Sequence, residues 1–156
     1  MSELRQAQYI LGALATDGSA TPVTLTGSYQ ASRVVPISST YQTVLDVAYT
    51  MGAAETGNSV ELKIEFANPV SQILDTANIL ATDWYQQTSE ATTTGTTTVS
   101  LQNYTFSATG AAGTYDRFQV AIPVGSKFMR VSAKETGIAA NGGSCTIKLI
   151  TTEDHC

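Results

Sequence analysis

Apolar and polar side chains alternate through much of this chain. The clearest run is Val60-Glu61-Leu62-Lys63-Ile64-Glu65-Phe66, in which every even position is apolar and every odd one charged. Successive side chains of a strand point to opposite faces, so such a run predicts a β-strand with one buried face. The same period recurs at Thr43, Leu45, Val47, Tyr49 and Met51, set against Val44, Asp46, Ala48 and Thr50. Between Tyr115 and Gly137 it occurs twice. Phe118, Val120 and Ile122 share a face, Pro123-Val124-Gly125-Ser126 interrupts, and Met129, Val131 and Ala133 resume the pattern. Proline has no N–H for a ladder and Gly-Ser suits a turn, so this stretch reads as a two-stranded hairpin.

Shorter strands are expected at Val23 to Thr26, Asp83 to Gln87, Val99 to Phe106 and Ser144 to Thr151. Ser32 to Ile37 is also strand-like, but Pro36 places it at an edge or a strand end. Thr92 to Thr98 is a polar segment around a turn at Gly95. Val70, Ile73, Leu74 and Ala77 follow helical spacing, which fits either one short helix at about 70–80 or an irregular loop. Residues 1–14 fit helical spacing through Leu4, Ala7, Leu11 and Leu14, and strand alternation through Tyr9, Leu11 and Ala13. Roughly eight or nine short strands with turn chemistry between them predict an all-β fold. The expected architecture is an antiparallel β-sandwich, jelly-roll-like, with at most one short helix. Its divisions are an N-terminal arm over residues 1–20, a single sandwich domain over 21–151 and a mobile C-terminal tail over 152–156.

Composition narrows the function. With 156 residues the chain can close one core. Only 13% of residues are charged, so the solvated surface must be largely Thr, Ser, Asn, Gln and Gly. About 25% is ordinary, and contacts made through such a surface depend weakly on salt. A net charge of −5 with scattered Lys and Arg argues against nucleic acid as a partner. No run of about 20 apolar residues is present, so no membrane span is expected. Nor does an apolar stretch of secretory type follow Glu3 and Arg5. Cys145, in a strand-like segment, and Cys156, in the tail, are both expected to be free thiols.

The search for chemistry finds little. The single histidine is His155, in the tail, and no G-x-S-x-G elbow, P-loop or H-E-x-x-H motif occurs. Asp75, Asp83, Glu55, Glu90 and Asp116 lie in or near expected loops without calcium-loop spacing. Glu61, Lys63 and Glu65 read as a solvated face with cross-strand charge pairs. No catalytic residue, cofactor or metal is therefore expected. Trp84 and Tyr85 form a candidate sugar-stacking platform, as in a glycan-binding β-sandwich module of a tail or head-fibre adhesin. The apolar Tyr9-Ile10-Leu11 cluster is costly to leave in water. It is read as part of an arm laid on a neighbour, with Leu4, Tyr9, Ile10, Leu11 and Leu14 as the candidate capsid or subunit interface.

Four segments carry a resemblance. LKIEFAN at Leu62 to Asn68, WYQ at Trp84 to Gln86, IPV at Ile122 to Val124 and RVSAKE at Arg130 to Glu135 precede a closing GGSCTIKLI. In this order the chain resembles tailed-bacteriophage capsid decoration (auxiliary) proteins and related virion structural β-sandwich proteins, over most of residues 40–150. The resemblance implies jelly-roll subunits that sit as homotrimers on the outside of an icosahedral head and stabilise it. It also implies the major capsid protein as partner, a place on the virion surface after synthesis in the host cytoplasm, and no enzymatic activity.

Overall fold

Alternating runs settle as strands when each can lay its apolar face on another sheet. A computed structural model of the chain describes residues 2–14, 20–38, 40–52, 58–69, 76, 79–107, 115–123, 125–138 and 142–155. Among them, β1 is Ser2–Leu11, β2 Ala13–Leu14, β3 Ala20–Thr21, β4 Val23–Thr24, β5 Gln30–Ala31 and β6 Val35–Pro36. The long strands β7, Thr40–Thr50, and β8, Ser59–Ala67, follow. Next come β9, Trp84–Gln86, β10, Thr88–Thr93, β11, Thr96–Leu101, and β12, Asn103–Ser107. The last three are β13, Tyr115–Ile122, β14, Phe128–Thr136, and β15, Ser144–His155.

One sheet runs β1-β15-β7-β13, with β4 also against β15. The other runs β12-β8-β14-β5, with β6 continuing beside β14 and β9 beside β8. Taking β5 and β6 as one interrupted strand leaves eight principal strands: β1, β5/β6, β7, β8, β12, β13, β14 and β15. Numbered in that order, they read 1-8-3-6 in the first sheet and 2-7-4-5 in the second. The pairings within both sheets are antiparallel. This is the order of a jelly roll, two Greek keys folded into a sandwich.

The inner faces carry the residues that the alternation marks. Leu45, Val47 and Tyr49 of β7, with Cys145, Ile147 and Leu149 of β15, meet Leu62, Ile64 and Phe66 of β8 and Met129 and Val131 of β14, all buried. Each large apolar side chain so buried contributes roughly 1.5–3 kcal/mol. Phe106 of the second sheet stacks on Phe118 of the first, with centroids 3.6 Å apart.

Several expectations are corrected. β13 and β14 do not form a hairpin: β13 pairs with β7 in the first sheet and β14 with β8 in the second. Pro123 ends the first ladder and Gly125, at φ 116, turns the chain across to the opposite sheet. Each strand thereby gains a long partner that a hairpin would have denied it. Residues 2–11 are a strand of the sheet and not an arm, because β15 offers β1 an edge over its whole length. The expected tail is likewise strand as far as His155. Val99 to Phe106 divides at Gln102 into β11 and β12, which belong to different sheets. The expected helix at about 70–80 falls mostly outside the described residues; a short 3-10 turn occupies Ala81–Asp83.

A carboxylate sits inside. Glu135 of β14 is fully buried, on the face that carries Met129, Val131 and Ala133. Its Oε1 accepts from the Tyr49 hydroxyl at 2.7 Å and from Asn58 Nδ2 at 2.9 Å, and its Oε2 from the Gly143 N–H at 2.7 Å. Burial, reinforced by the negative charge of Glu135, pushes the Cys145 thiol up to about 12, which makes it a poor nucleophile. Gly143 is required where it stands: a Cβ there would lie 2.4 Å from the Tyr49 ring. Glu135→Ala should strand three buried donors at on the order of 1–3 kcal/mol each. Gly143→Ala should cost about 1–3 kcal/mol through overpacking. Urea denaturation checks both, and a midpoint unchanged by Glu135→Ala would refute the clamp.

Candidate functional site

The outer face of the second sheet is a lattice of paired charges. Register places Arg130 opposite Glu65, Ser132 opposite Lys63 and Lys134 opposite Glu61. Arg130 Nε donates to Glu65 Oε2 at 2.9 Å, Lys63 Nζ lies 3.3 Å from Glu65 Oε1, and Lys134 Nζ lies 3.4 Å from Glu61 Oε1. Tyr29 donates its hydroxyl to Glu61, while Lys63 and Lys134 sit 5.4 and 4.6 Å from its ring centroid. Burial, with Glu61 as hydrogen-bond acceptor and negative neighbour, raises the Tyr29 phenol to about 12. At the other end the Arg130 guanidinium lies 4.2 Å from the Trp84 ring centroid. The acids on this face are bound to bases.

Trp84 and Tyr85 do not make one platform. They are consecutive residues of β9, so their rings leave opposite faces of the strand. Trp84 carries Arg130 on its ring, whereas Tyr85, 47% exposed, packs near Phe66 with centroids 6.0 Å apart. The Tyr85 hydroxyl accepts from Asn68 Nδ2 and lies 2.9 Å from Ser126 Oγ. Beside it, Phe66, Gln86, Gln87, Thr88 and Pro123 complete a shallow groove of about 210 Å³.

The expected interface residues also divide. Ile10 and Leu11 are buried in the chain's own core, 3% and 5% exposed. Tyr9 is half-buried on the outer face of the first sheet, opposite Lys148. The backbones of Leu4 and Leu14 belong to β1 and β2; their side chains lie outside the described residues. Asp83 accepts from the Leu80 N–H, and Glu90 lies opposite Val99 in a hairpin. Asp75, Glu55 and the side chain of Asp116 are outside the described residues. Among the described residues no group of three or more His, Cys, Asp or Glu is placed to hold a metal, and no helix is long and apolar enough to cross a membrane.

The element that sequence reasoning missed is that hairpin. β10 and β11 pair over six residues each, from Thr88 opposite Leu101 to Thr93 opposite Thr96, around a turn in which Thr94 and Gly95 both have positive φ. That is the primed turn favoured by twisted two-stranded ribbons. Every described side chain from Thr88 to Leu101 is exposed, including Val99 at 58% and Leu101 at 67%. Its base is closed where the Gln102 N–H donates to the Gln87 carbonyl at 2.8 Å. Strands of six residues reach roughly 20 Å.

No protein-family model matches the sequence, and no curated protein does. Among solved structures, dimeric latent PorU from Porphyromonas gingivalis aligns with 97% of this chain and 13% of its own length, at 12% identity and a TM-score of 0.43. A structure of the disulfide-linked pili that form Bacillus endospore appendages aligns with 99% of this chain and 90% of its own length, at 14% identity and a TM-score of 0.40. Neither likeness bears on what this chain does.

Two carboxylates give the surface a pH signature. Arg117 hydrogen-bonds to Asp46 and holds its carboxyl below the usual range against the upward push of burial, with Lys148 adding to the effect. Burial pushes Glu65 up, but Arg130 and Lys63 together outweigh it and its carboxyl is also lowered. A depressed folded pKa contributes stability that is complete above the unfolded value, about 4 for a carboxylate, and is lost as pH falls through the folded one. Thermal melts should therefore show the midpoint falling as pH drops below about 4. Combining Asp46→Asn with Glu65→Gln should flatten that fall.

Proposed function

We propose that this chain is a virion structural protein, a capsid decoration subunit that binds the outside of an icosahedral phage head as a homotrimer and stabilises it. The major capsid protein is the proposed partner. The observation that carries the reading is the β10–β11 hairpin. A lone two-stranded hairpin is marginal in water, and this one buries none of its described side chains. Such an element gains its stability by docking on another surface, and Val99 and Leu101 supply the apolar contact. The segment resemblance and the low-charge surface support the same reading, and the jelly roll adds an analogy, since viral capsid subunits are among its users. A trimer on a three-fold position would combine three modest contacts through multivalency.

The interface proposed here is the hairpin and not the arm, because Ile10 and Leu11 are already spent on the internal core. Replacing residues 88–101 by a two-residue turn tests it, since Gln87 and Gln102 already meet. The shortened chain should keep its thermal midpoint but fail to co-sediment with heads assembled from the accompanying major capsid protein. Sedimentation velocity should give a trimer for the full chain. Undiminished head binding by the shortened chain would overturn the proposed interface, and a full chain that does not bind heads would overturn the capsid role.

A further inference from the structure

In a two-stranded antiparallel ribbon, opposite residues alternate between pairs that exchange both hydrogen bonds and pairs whose N–H and C=O groups point away from each other. The β10–β11 ribbon is pinned at both ends. Its two-residue primed turn closes on Thr93 and Thr96, and at its base the Gln102 N–H donates to the Gln87 carbonyl at 2.8 Å. The alternation between these two ends directs Thr96, Thr98 and Ser100 at β10. Thr97, Val99 and Leu101 therefore turn their N–H and C=O groups to the outer edge of β11, and Thr88, Glu90 and Thr92 turn theirs to the outer edge of β10. Among the described residues neither edge has a further strand beside it.

The two edges are not alike. Open edges are normally blunted by lysine, proline, a bulge or a covering loop. β11, with the sequence Thr96-Thr97-Thr98-Val99-Ser100-Leu101, has no charge, no proline and no bulge in its register. Threonine and valine also favour extended backbone. The side chains of all six residues are exposed, so nothing in the chain covers them. β10 instead carries Glu90, an exposed carboxylate at the middle of its outward-directed set. Laying β10 at full length against its own copy would set Glu90 against Glu90, and like charges directly opposite are destabilising.

We propose that β11 pairs antiparallel with β11 of a second copy about a two-fold axis at Val99, joining two hairpins into one four-stranded sheet in the order β10-β11-β11-β10. In this register Val99 faces Val99 of the second copy, Thr97 faces Leu101, and Thr98 faces Ser100. Every outward N–H and C=O of Thr97, Val99 and Leu101 then meets a partner, whereas an axis at Thr98 would leave Leu101 outside the ladder. The occupant is a second copy because the edge complements itself: it is neutral throughout, valine meets valine, and hydroxyl meets hydroxyl at Thr98 and Ser100. The axis is normal to the sheet, so Thr97, Val99 and Leu101 of both copies share one face. Pairing thus doubles the apolar surface that the hairpin presents instead of covering it. The pairing rests on the hairpin alone and does not depend on the capsid reading.

The test places single cysteines in the full chain carrying Cys156→Ser, which leaves the buried Cys145 as the native thiol. Facing residues of a hydrogen-bonded pair have Cα atoms about 5.5 Å apart, within disulfide reach. Under copper-phenanthroline oxidation, followed on non-reducing gels, Val99→Cys should form a covalent dimer at least about tenfold faster than two controls. The controls are Thr98→Cys, which is offset from its own copy in this register, and Ala91→Cys, on the far strand. Thr97→Pro removes an N–H that the hairpin itself does not use, and proline is tolerated at such an edge position. It should bring the Val99→Cys rate down to that of Ala91→Cys without moving the thermal midpoint. Equal rates for Val99→Cys and Ala91→Cys, a faster rate for Thr98→Cys than for Val99→Cys, or a Val99→Cys rate unmoved by Thr97→Pro would overturn the pairing. None of these readouts involves heads, so the capsid reading stands or falls separately.

Discussion

Where the two sheets close on each other, a buried carboxylate gathers groups from parts of the chain far apart in sequence. Glu135 belongs to β14, Tyr49 to β7, Asn58 leads into β8 and Gly143 leads into β15. Both sheets are therefore tied to one side chain. The tie also fixes register, because side chains alternate with a period of two. Slipping β14 by one residue would swing Glu135 outward, bring Lys134 into the core and break the pairs with Glu61 and Glu65. A misregistered sandwich would then bury an ammonium with no carboxylate beside it, a costly state.

Much of the fold could be read from the letters, and the reason is burial on one side. β7, β8 and β14 each bury one face and leave the other mostly half-buried, so their periods survive as alternation in the letters, and the positions marked as inward are buried. Glu135 could have been found the same way, since it continues the inward series of Met129, Val131 and Ala133. Partnership was not legible. A turn such as Pro123 to Ser126 serves equally well for a hairpin or for a step between sheets, and only the competition among long-range partners decides. β1 was obscured because its spacing suits two periods. The β10–β11 hairpin was hidden because threonine on both faces gives no alternation at all. At Trp84 and Tyr85, strand periodicity already contained the answer: adjacent residues cannot share a face.

The candidate site illustrates the same limit. Asp46, Arg117 and Lys148 come from three strands and meet only through register, so no spacing in the sequence announces them. The two outer faces use charge in different ways. On the second sheet acids and bases are interleaved, which contributes little stability, since exposed pairs are worth about 0–1 kcal/mol, but keeps a flat face free of uncompensated charge. On the first sheet, among the described side chains, Asp46 is enclosed between Arg117 and Lys148.

The pairing of β1 with β15 has a mechanical corollary. Ser2 sits beside His155 and Leu11 beside Ile147, so the far ends of these two strands lie side by side at one edge. Tension applied between those ends would peel the strands apart one rung after another, like a zip, because each cross-strand bond lies along the pull. A load applied along the strands would instead strain every rung of the ladder together. A sandwich of this shape would withstand a load along these strands far better than one that pulls the paired strand ends apart.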